Sequence, residues 1–260
     1  MMLRVDNVSF AYDAERGVEN LSFHVDRGGS LIALAGANGS GKSTLLKLIA
    51  RVLAPHHGEV VFDERRDWTA KEYAQRVGYL PQEIDDVFGM RAIDVVVSGR
   101  APYLTRFAFE SEADYAEAEK ALAICDAQHL ADRYLDEMSG GERKRVFLAR
   151  VLAGAPRLIL LDEPFAALDI AHVQQFSRLL RDIVDRTQSA VLFASHDLNW
   201  AAACSDRMLV MRNGRIAIDA PPRDVLRTEV VSELFGFDAR VVDGWVVPNV
   251  GPPPSRPVTQ

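Results

Sequence analysis

Residues 31–50 read LIALAGANGSGKSTLLKLIA, and no other stretch limits the fold as tightly. The apolar run Leu31 to Ala35 has the look of a buried strand, a glycine-rich turn follows, and Ser43 to Ala50 carries a helical pattern. Between strand and helix, Gly36, Gly41, Lys42 and Ser43 fall on the spacing G-x-x-x-x-G-K-[ST]. Glycines let the loop of Gly36, Ala37, Asn38, Gly39, Ser40 and Gly41 wrap an anion, and the loop N–H groups and the helix N-terminus point at that anion. Lys42 sets a positive charge against β and γ phosphates, and Ser43, followed by Thr44, offers a hydroxyl to Mg²⁺. A loop of this kind needs a buried strand behind it, so the rest of the chain is constrained to supply a sheet.

The remaining pattern agrees. Short apolar segments recur at Val60 to Phe62, Val77 to Leu80, Leu158 to Leu161, Ala190 to Ala194 and Arg207 to Met211, alternating with helical stretches, which predicts an α/β sheet. Asn213-Gly214 predicts a hairpin into Arg215 to Ile218. Leu3 to Tyr12 and Leu21 to Val25 read as an early antiparallel pair. From about residue 92 to 152 the spacing turns helical, as at Tyr115, Ala118, Leu122 and Cys125, with Val95 to Val97 the one strand-like run; this stretch is expected to be a helical insertion. Ile170, Val173, Phe176, Leu179, Leu180, Ile183 and Val184 form one apolar face of a further helix. Residues 1–245 read as one unit, and 246–260, ending GPPPSRPVTQ, as a proline-rich disordered tail.

Phosphate chemistry also needs a metal ligand and a group to polarise water. In RLILLDEPFAALD the apolar run Leu158 to Leu161 ends in Asp162 and Glu163, two carboxylates at a strand tip, where open α/β sheets bind ligands. Asp162 suits the Mg²⁺ shell and Glu163 a general base. The formal charge of −7 argues against general affinity for nucleic acid, so any phosphate is held by a local device. Apolar runs stay far short of the roughly 20 residues of a membrane helix, and MMLRVDNVSF lacks the apolar core of a secretion signal. Cys125 and Cys204, without metal-like spacing, read as buried thiols, and His56-His57 as a solvated turn.

MSGGER, residues 138–143, places a serine and two glycines at the head of a helix and resembles the signature motif of the ATP-binding cassette (ABC) ATPases, with Met138 and Glu142 as mild departures from Leu and Gln. Ser139, as N-cap, and the following N–H groups would form a second anion site. Other motifs stand in the family's order. Tyr12 in SFAYD resembles the aromatic that stacks on adenine. Gln82 in VGYLPQE resembles the glutamine that reaches Mg²⁺ or water, Asp169 in AALD the aspartate that signals across the dimer, and His196 in FASHDLN the histidine that contacts the γ-phosphate. Phe165 and Ala37 depart from the family's usual Thr or Ser and Pro without removing a catalytic group.

The resemblance implies a P-loop NTPase core with an N-terminal antiparallel β subdomain and an inserted α-helical subdomain, binding ATP and Mg²⁺. It implies two copies packed head to tail, where Ser139, Gly140, Gly141 and Glu142 of each close over ATP held by the other. It implies two membrane-spanning permease subunits as partners, a secreted or periplasmic binding protein acting indirectly, and a peripheral place on the cytoplasmic face of the membrane. GRAPY, residues 99–103, followed by Phe107, and the ending PPRDVLRTEVVSELFGFDARVV resemble importers of iron-siderophore, heme or cobalamin. Import of bare zinc or manganese is the alternative within transport. A soluble cassette in iron-sulfur assembly, DNA repair or translation is the alternative outside it; no long coiled coil, second cassette or basic face favours that class. The run Arg143, Lys144 and Arg145 is expected to be a solvated or partner-facing charge cluster.

Overall fold

The structure is a computed structural model that describes residues 1–13, 16–26, 28–84, 88–105, 109–166, 168–235 and 238–249. In chain order the elements are β1 (Leu3–Ala11), β2 (Gly17–Val25), β3 (Ser30–Ala35), α1 (Lys42–Ile49), β4 (His57–Phe62), α2 (Ala70–Ala74), β5 (Val77–Leu80) and α3 (Ala92–Val97). They continue with α4 (Glu112–Ile124), α5 (Gly140–Ala153), β6 (Leu158–Leu161), α6 (Ile170–Thr187), β7 (Ala190–Ser195), α7 (Leu198–Cys204), β8 (Arg207–Arg212) and β9 (Arg215–Ala220). The last are α8 (Pro222–Val225), α9 (Thr228–Phe235), β10 (Ala239–Val242) and β11 (Trp245–Pro248).

The main sheet has the order β5-β6-β7-β3-β8-β9, parallel except for β9, which returns antiparallel from β8. That turn is Asn213-Gly214, both at positive φ, as a tight hairpin requires. Because strand side chains alternate, each central strand feeds two cores. Leu31, Ala33, Ile159, Leu161, Val191 and Phe193 face α5, α6 and the helical lobe. Ile32, Leu34, Leu158, Leu160, Ala190 and Leu192 face α1 and the antiparallel sheet β2-β1-β4. A strand buried on both faces is why these segments are continuous apolar runs.

The lobe of α3, α4 and α5 is tied down by GRAPY. Gly99 sits against α5, where a Cβ would lie 2.0 Å from Arg150 O. Arg100 Nε donates to Asp114 Oδ1 at 3.0 Å and its Nη1 to Ala153 O at 3.0 Å, while Tyr103 Oη donates to Gly154 O at 2.9 Å. Asp114 also closes a capping box with Ser111 at the start of α4. The Ser111 bonds and the Arg100 guanidinium hold the Asp114 carboxyl down at about 2. A carboxylate depressed in the folded state stabilises above its unfolded value of roughly 4, and that contribution is lost as pH falls toward the folded value. Asp114→Asn is therefore expected to be less stable than the parent at pH 6 and to show a flatter loss of stability between about pH 4 and 2; denaturant melts across that range check it.

Three expectations are corrected. Val95–Val97 is helical, within α3, because its residues are buried between α4 and α5 and tertiary packing overrides β propensity. Ile170, placed on the buried face of α6, is 76% exposed, as the first residue of that helix. The tail does not start at 246: β11 pairs with β10, Val246 exchanges two backbone bonds with the Asn199 side chain on α7, and Trp245 sets its ring edge-on to Trp200. Residues 250–260 of the expected tail, and Phe107, lie outside the described residues.

Candidate nucleotide site

The sheet order brings three segments to one edge. β3 runs into the phosphate loop, β7 beside it ends at Ser195 before His196, and β6 beyond it ends before Asp162 and Glu163. Alternation then aims the carboxylates. Asp162 N–H donates to Leu80 O at 2.9 Å, extending the ladder by one residue, so Asp162 follows Leu158 and Leu160 toward α1. There Ser43 Oγ donates to Asp162 Oδ1 at 2.9 Å, and Tyr79 Oη to Asp162 Oδ2 at 3.4 Å. Burial pushes the Asp162 carboxyl up from its ordinary value while the Ser43 bond pulls it back. Burial also raises the Tyr79 phenol, with Asp162 adding to it.

Glu163 leaves the strand in a left-handed conformation, φ 50°, which is uncommon for a residue other than glycine and marks a constrained position. Its buried carboxylate turns back to the strand ends, with Oε2 at 2.9 Å from His196 Nδ1 and Oε1 at 3.7 Å from Lys42 Nζ. Lys42 is buried inside its own loop, donating to Gly36 O at 2.9 Å and Ala37 O at 3.1 Å. Burial pulls its ammonium down, and Glu163 and Asp162 oppose that. Gly36 has no room for a side chain, because a Cβ would lie 2.4 Å from Met211 O, and Gly41 takes φ 103° to turn the loop into α1.

These groups face a cavity of about 720 Å³. Tyr12, Arg16, Asn38, Gly39, Lys42, Ser43, Thr44, Gln82, Glu163 and His196 are among the residues that line it. Tyr12 is half exposed, its ring held edge-on by Phe10 at 4.9 Å. Within the loop, Ser40 Oγ is buried with no partner among the described residues, an orphan that a phosphate oxygen would satisfy. The Ser43 hydroxyl, the Asp162 carboxylate and the Gln82 amide are hard oxygen donors of the kind Mg²⁺ takes. The residues therefore fit a nucleoside triphosphate with its metal. Among the described residues, no His, Cys, Asp and Glu cluster suggests a separate metal centre.

The expected second anion site lies elsewhere. None of Ser139, Gly140, Gly141 and Glu142 lines this cavity. Ser139 caps α5: its Oγ accepts from Glu142 N–H at 3.3 Å and donates to Glu142 Oε2 at 2.8 Å, and Glu142 Oε1 meets Arg133 at 3.1 Å. Asp169 likewise caps α6, accepting from His172 N–H at 2.9 Å. Of the basic run expected to be solvated or partner-facing, Lys144 instead turns inward onto Pro164 O and Ala166 O, while Arg145 pairs at the surface with Asp126 and Gln175. Sequence reasoning also missed Arg16, Tyr79 and the Asn213-Gly214 turn as parts of the site: Arg16 carries no motif, Tyr79 was read only as part of a strand, and Asn213-Gly214 only as a hairpin turn.

A family model described as ABC transporter matches residues 18–166, and the chain belongs to that family, as an ATP-binding and ATP-hydrolysing member. The hemin import ATP-binding protein HmuV of Rhodococcus jostii (strain RHA1) is 40% identical over 243 residues, covering 93% of this chain and 82% of that one. Among solved structures, an inward-facing ABC transporter of metal-chelate type superposes with a TM-score of 0.82 at 31% identity, covering 92% of this chain and 90% of that one. The dimeric post-hydrolysis state of the cassette MJ0796, bound to ADP and Pi, gives a TM-score of 0.72 at 26% identity, covering 85% and 98%. Among the described residues, no helix is long and apolar enough to cross a membrane.

Proposed function

We propose that this chain acts as the ATPase unit of a metal-chelate importer, working as a head-to-tail pair of copies beneath two permease subunits at the inner face of the membrane. Gly140 and Gly141 carry this reading. Among the described residues, a Cβ at Gly140 would meet nothing within 4 Å, and one at Gly141 only ordinary contacts beyond 3.5 Å, so their packing gives no reason for glycine at a helix start. Backbone kept bare at an exposed helix N-terminus suits close approach by an anion from outside, and the phosphate that would come from outside this chain is the nucleotide phosphate of a second copy. A two-fold axis makes both sites equivalent.

Within each site, Lys42, the loop N–H groups and Ser40 would hold the phosphates, and Tyr12 the base. Ser43, Asp162 and Gln82 would hold Mg²⁺, which neutralises phosphate charge when bound. Glu163 takes the proton of the attacking water, and His196, through Nδ1 on Oε2, fixes the direction of that carboxylate. The permease would seat in the groove of about 340 Å³ lined by Pro81, Ile84, Pro102 and Phe147, between the sheet edge and the helical lobe. Hemin or a related chelate as cargo is supported by the relative from Rhodococcus jostii and by the metal-chelate type transporter. Zinc or manganese import has no comparable support.

In a Glu163→Gln background, Ser139→Ala is expected to weaken Mg-ATP-dependent pairing by about tenfold, since a hydrogen bond to a charged partner contributes roughly 1.5 kcal/mol. Light scattering across protein concentrations measures it. An ATP-bound Glu163→Gln that stays monomeric would argue against the pair, and proteoliposomes with the permease that take up zinc but not hemin would argue against the cargo.

A further inference from the structure

Lys144 lies on α5 three and four residues after Gly141 and Gly140, so the three share one helix face. Past Gly140, which stays open, that face meets the backbone after Glu163 and the start of α6. A Cβ at Gly141 would lie 3.7 Å from the His172 ring and 4.0 Å from Leu168. The Lys144 ammonium, with three donors, gives hydrogen bonds to Pro164 O at 3.1 Å and to Ala166 O. Pro164 is the residue directly after Glu163, whose own backbone is left-handed. Asp169 then starts α6 by capping His172 N–H, and its carboxylate also lies 2.9 Å from His172 Nδ1.

These contacts join two pieces that chemistry assigns to different nucleotides. The head of α5 is the surface offered to a second copy's phosphate; Glu163 acts on the phosphate held by its own chain. We propose that Lys144 is a positioning residue that fastens the head of α5 to the backbone following Glu163, so that closure on the second copy's nucleotide and alignment of the chain's own general base occur together. The proposal rests on the two-copy reading above. A backbone carbonyl needs a donor and no particular charge, so the role depends on hydrogen-bond geometry. Burial draws the Lys144 ammonium below the ordinary lysine value while the Glu163 carboxylate counters it, as expected of an amine drawn into the protein for its bonds.

The test compares Lys144→Met, which keeps the length and loses every donor, with Lys144→Arg, which keeps donors, in the full chain with Mg-ATP. Lys144→Met is expected to lower kcat about tenfold with KM for ATP changed less than twofold, because a small misalignment at the reacting atoms acts on the chemical step and not on ATP binding. Lys144→Arg is expected to recover most of kcat. In the Glu163→Gln background, Lys144→Met should need about tenfold more protein to pair. Should Lys144→Met fold poorly by circular dichroism, Lys144→Gln, with one amide donor group, takes its place and is expected to give an intermediate kcat. A monomeric Glu163→Gln at saturating Mg-ATP would remove the two-copy reading. A paired Glu163→Gln together with wild-type kcat in Lys144→Met, or no better kcat in Lys144→Arg than in Lys144→Met, would overturn the role of Lys144 alone.

Discussion

Glu163→Gln is expected to bind ATP as the parent chain does and to hydrolyse it about 10²-fold more slowly or worse, since general-base assistance contributes about 10² to 10⁴. The amide fills the same space and still meets His196 and Lys42, so the cavity and its phosphate-binding loop stay as they are. Only the proton acceptor is lost. Steady-state phosphate release against binding of a fluorescent ATP analogue separates the two quantities. Turnover within threefold of the parent would mean that another group takes the proton, and Glu163 would be left as a partner for Lys42 and His196.

Gly140→Asp is expected to give a chain as stable as the parent with ATPase activity lowered on the order of 10²-fold. The first turn of a helix favours a carboxylate through its dipole, and Asp costs less helix propensity than glycine, so the melting transition should move little or rise. Space is not limiting, because among the described residues a Cβ there meets nothing within 4 Å. A carboxylate held about 4 Å from a phosphate, near a surface, is repelled by roughly 4 kcal/mol, enough to prevent closure on a second copy's ATP. Thermal melts and phosphate release on one preparation decide it. Unchanged activity would show that no anion approaches the head of α5.

Much of the core site was legible along the chain. The phosphate loop, the carboxylates after Leu161 and the sheet strands rest on local rules, such as glycine at a tight loop, an apolar run for a strand buried on both faces, and acidic residues at its end, whereas His196 stood out only through the family resemblance of FASHDLN. Their meeting was legible as well, because a parallel sheet brings carboxyl ends to one edge. The glycine pair at 140–141 could be noticed in sequence, but only the coordinates exclude a steric reason for it among the described residues.

What the sequence by itself determined, then, is the glycine-rich loop, the carboxylates after Leu161 and the α/β frame that carries them, since each depends on residues close together in the chain. The tertiary structure alone decided where longer-range partners fall. Val95–Val97 became helical under packing, Arg100 became the tie between α4 and α5, Tyr79 reached Asp162, and Lys144 turned from the expected solvent or partner face to the carbonyls after Glu163. Each of these is a contact between segments far apart in the chain, where spacing carries no information and only burial and hydrogen-bond satisfaction choose the partner.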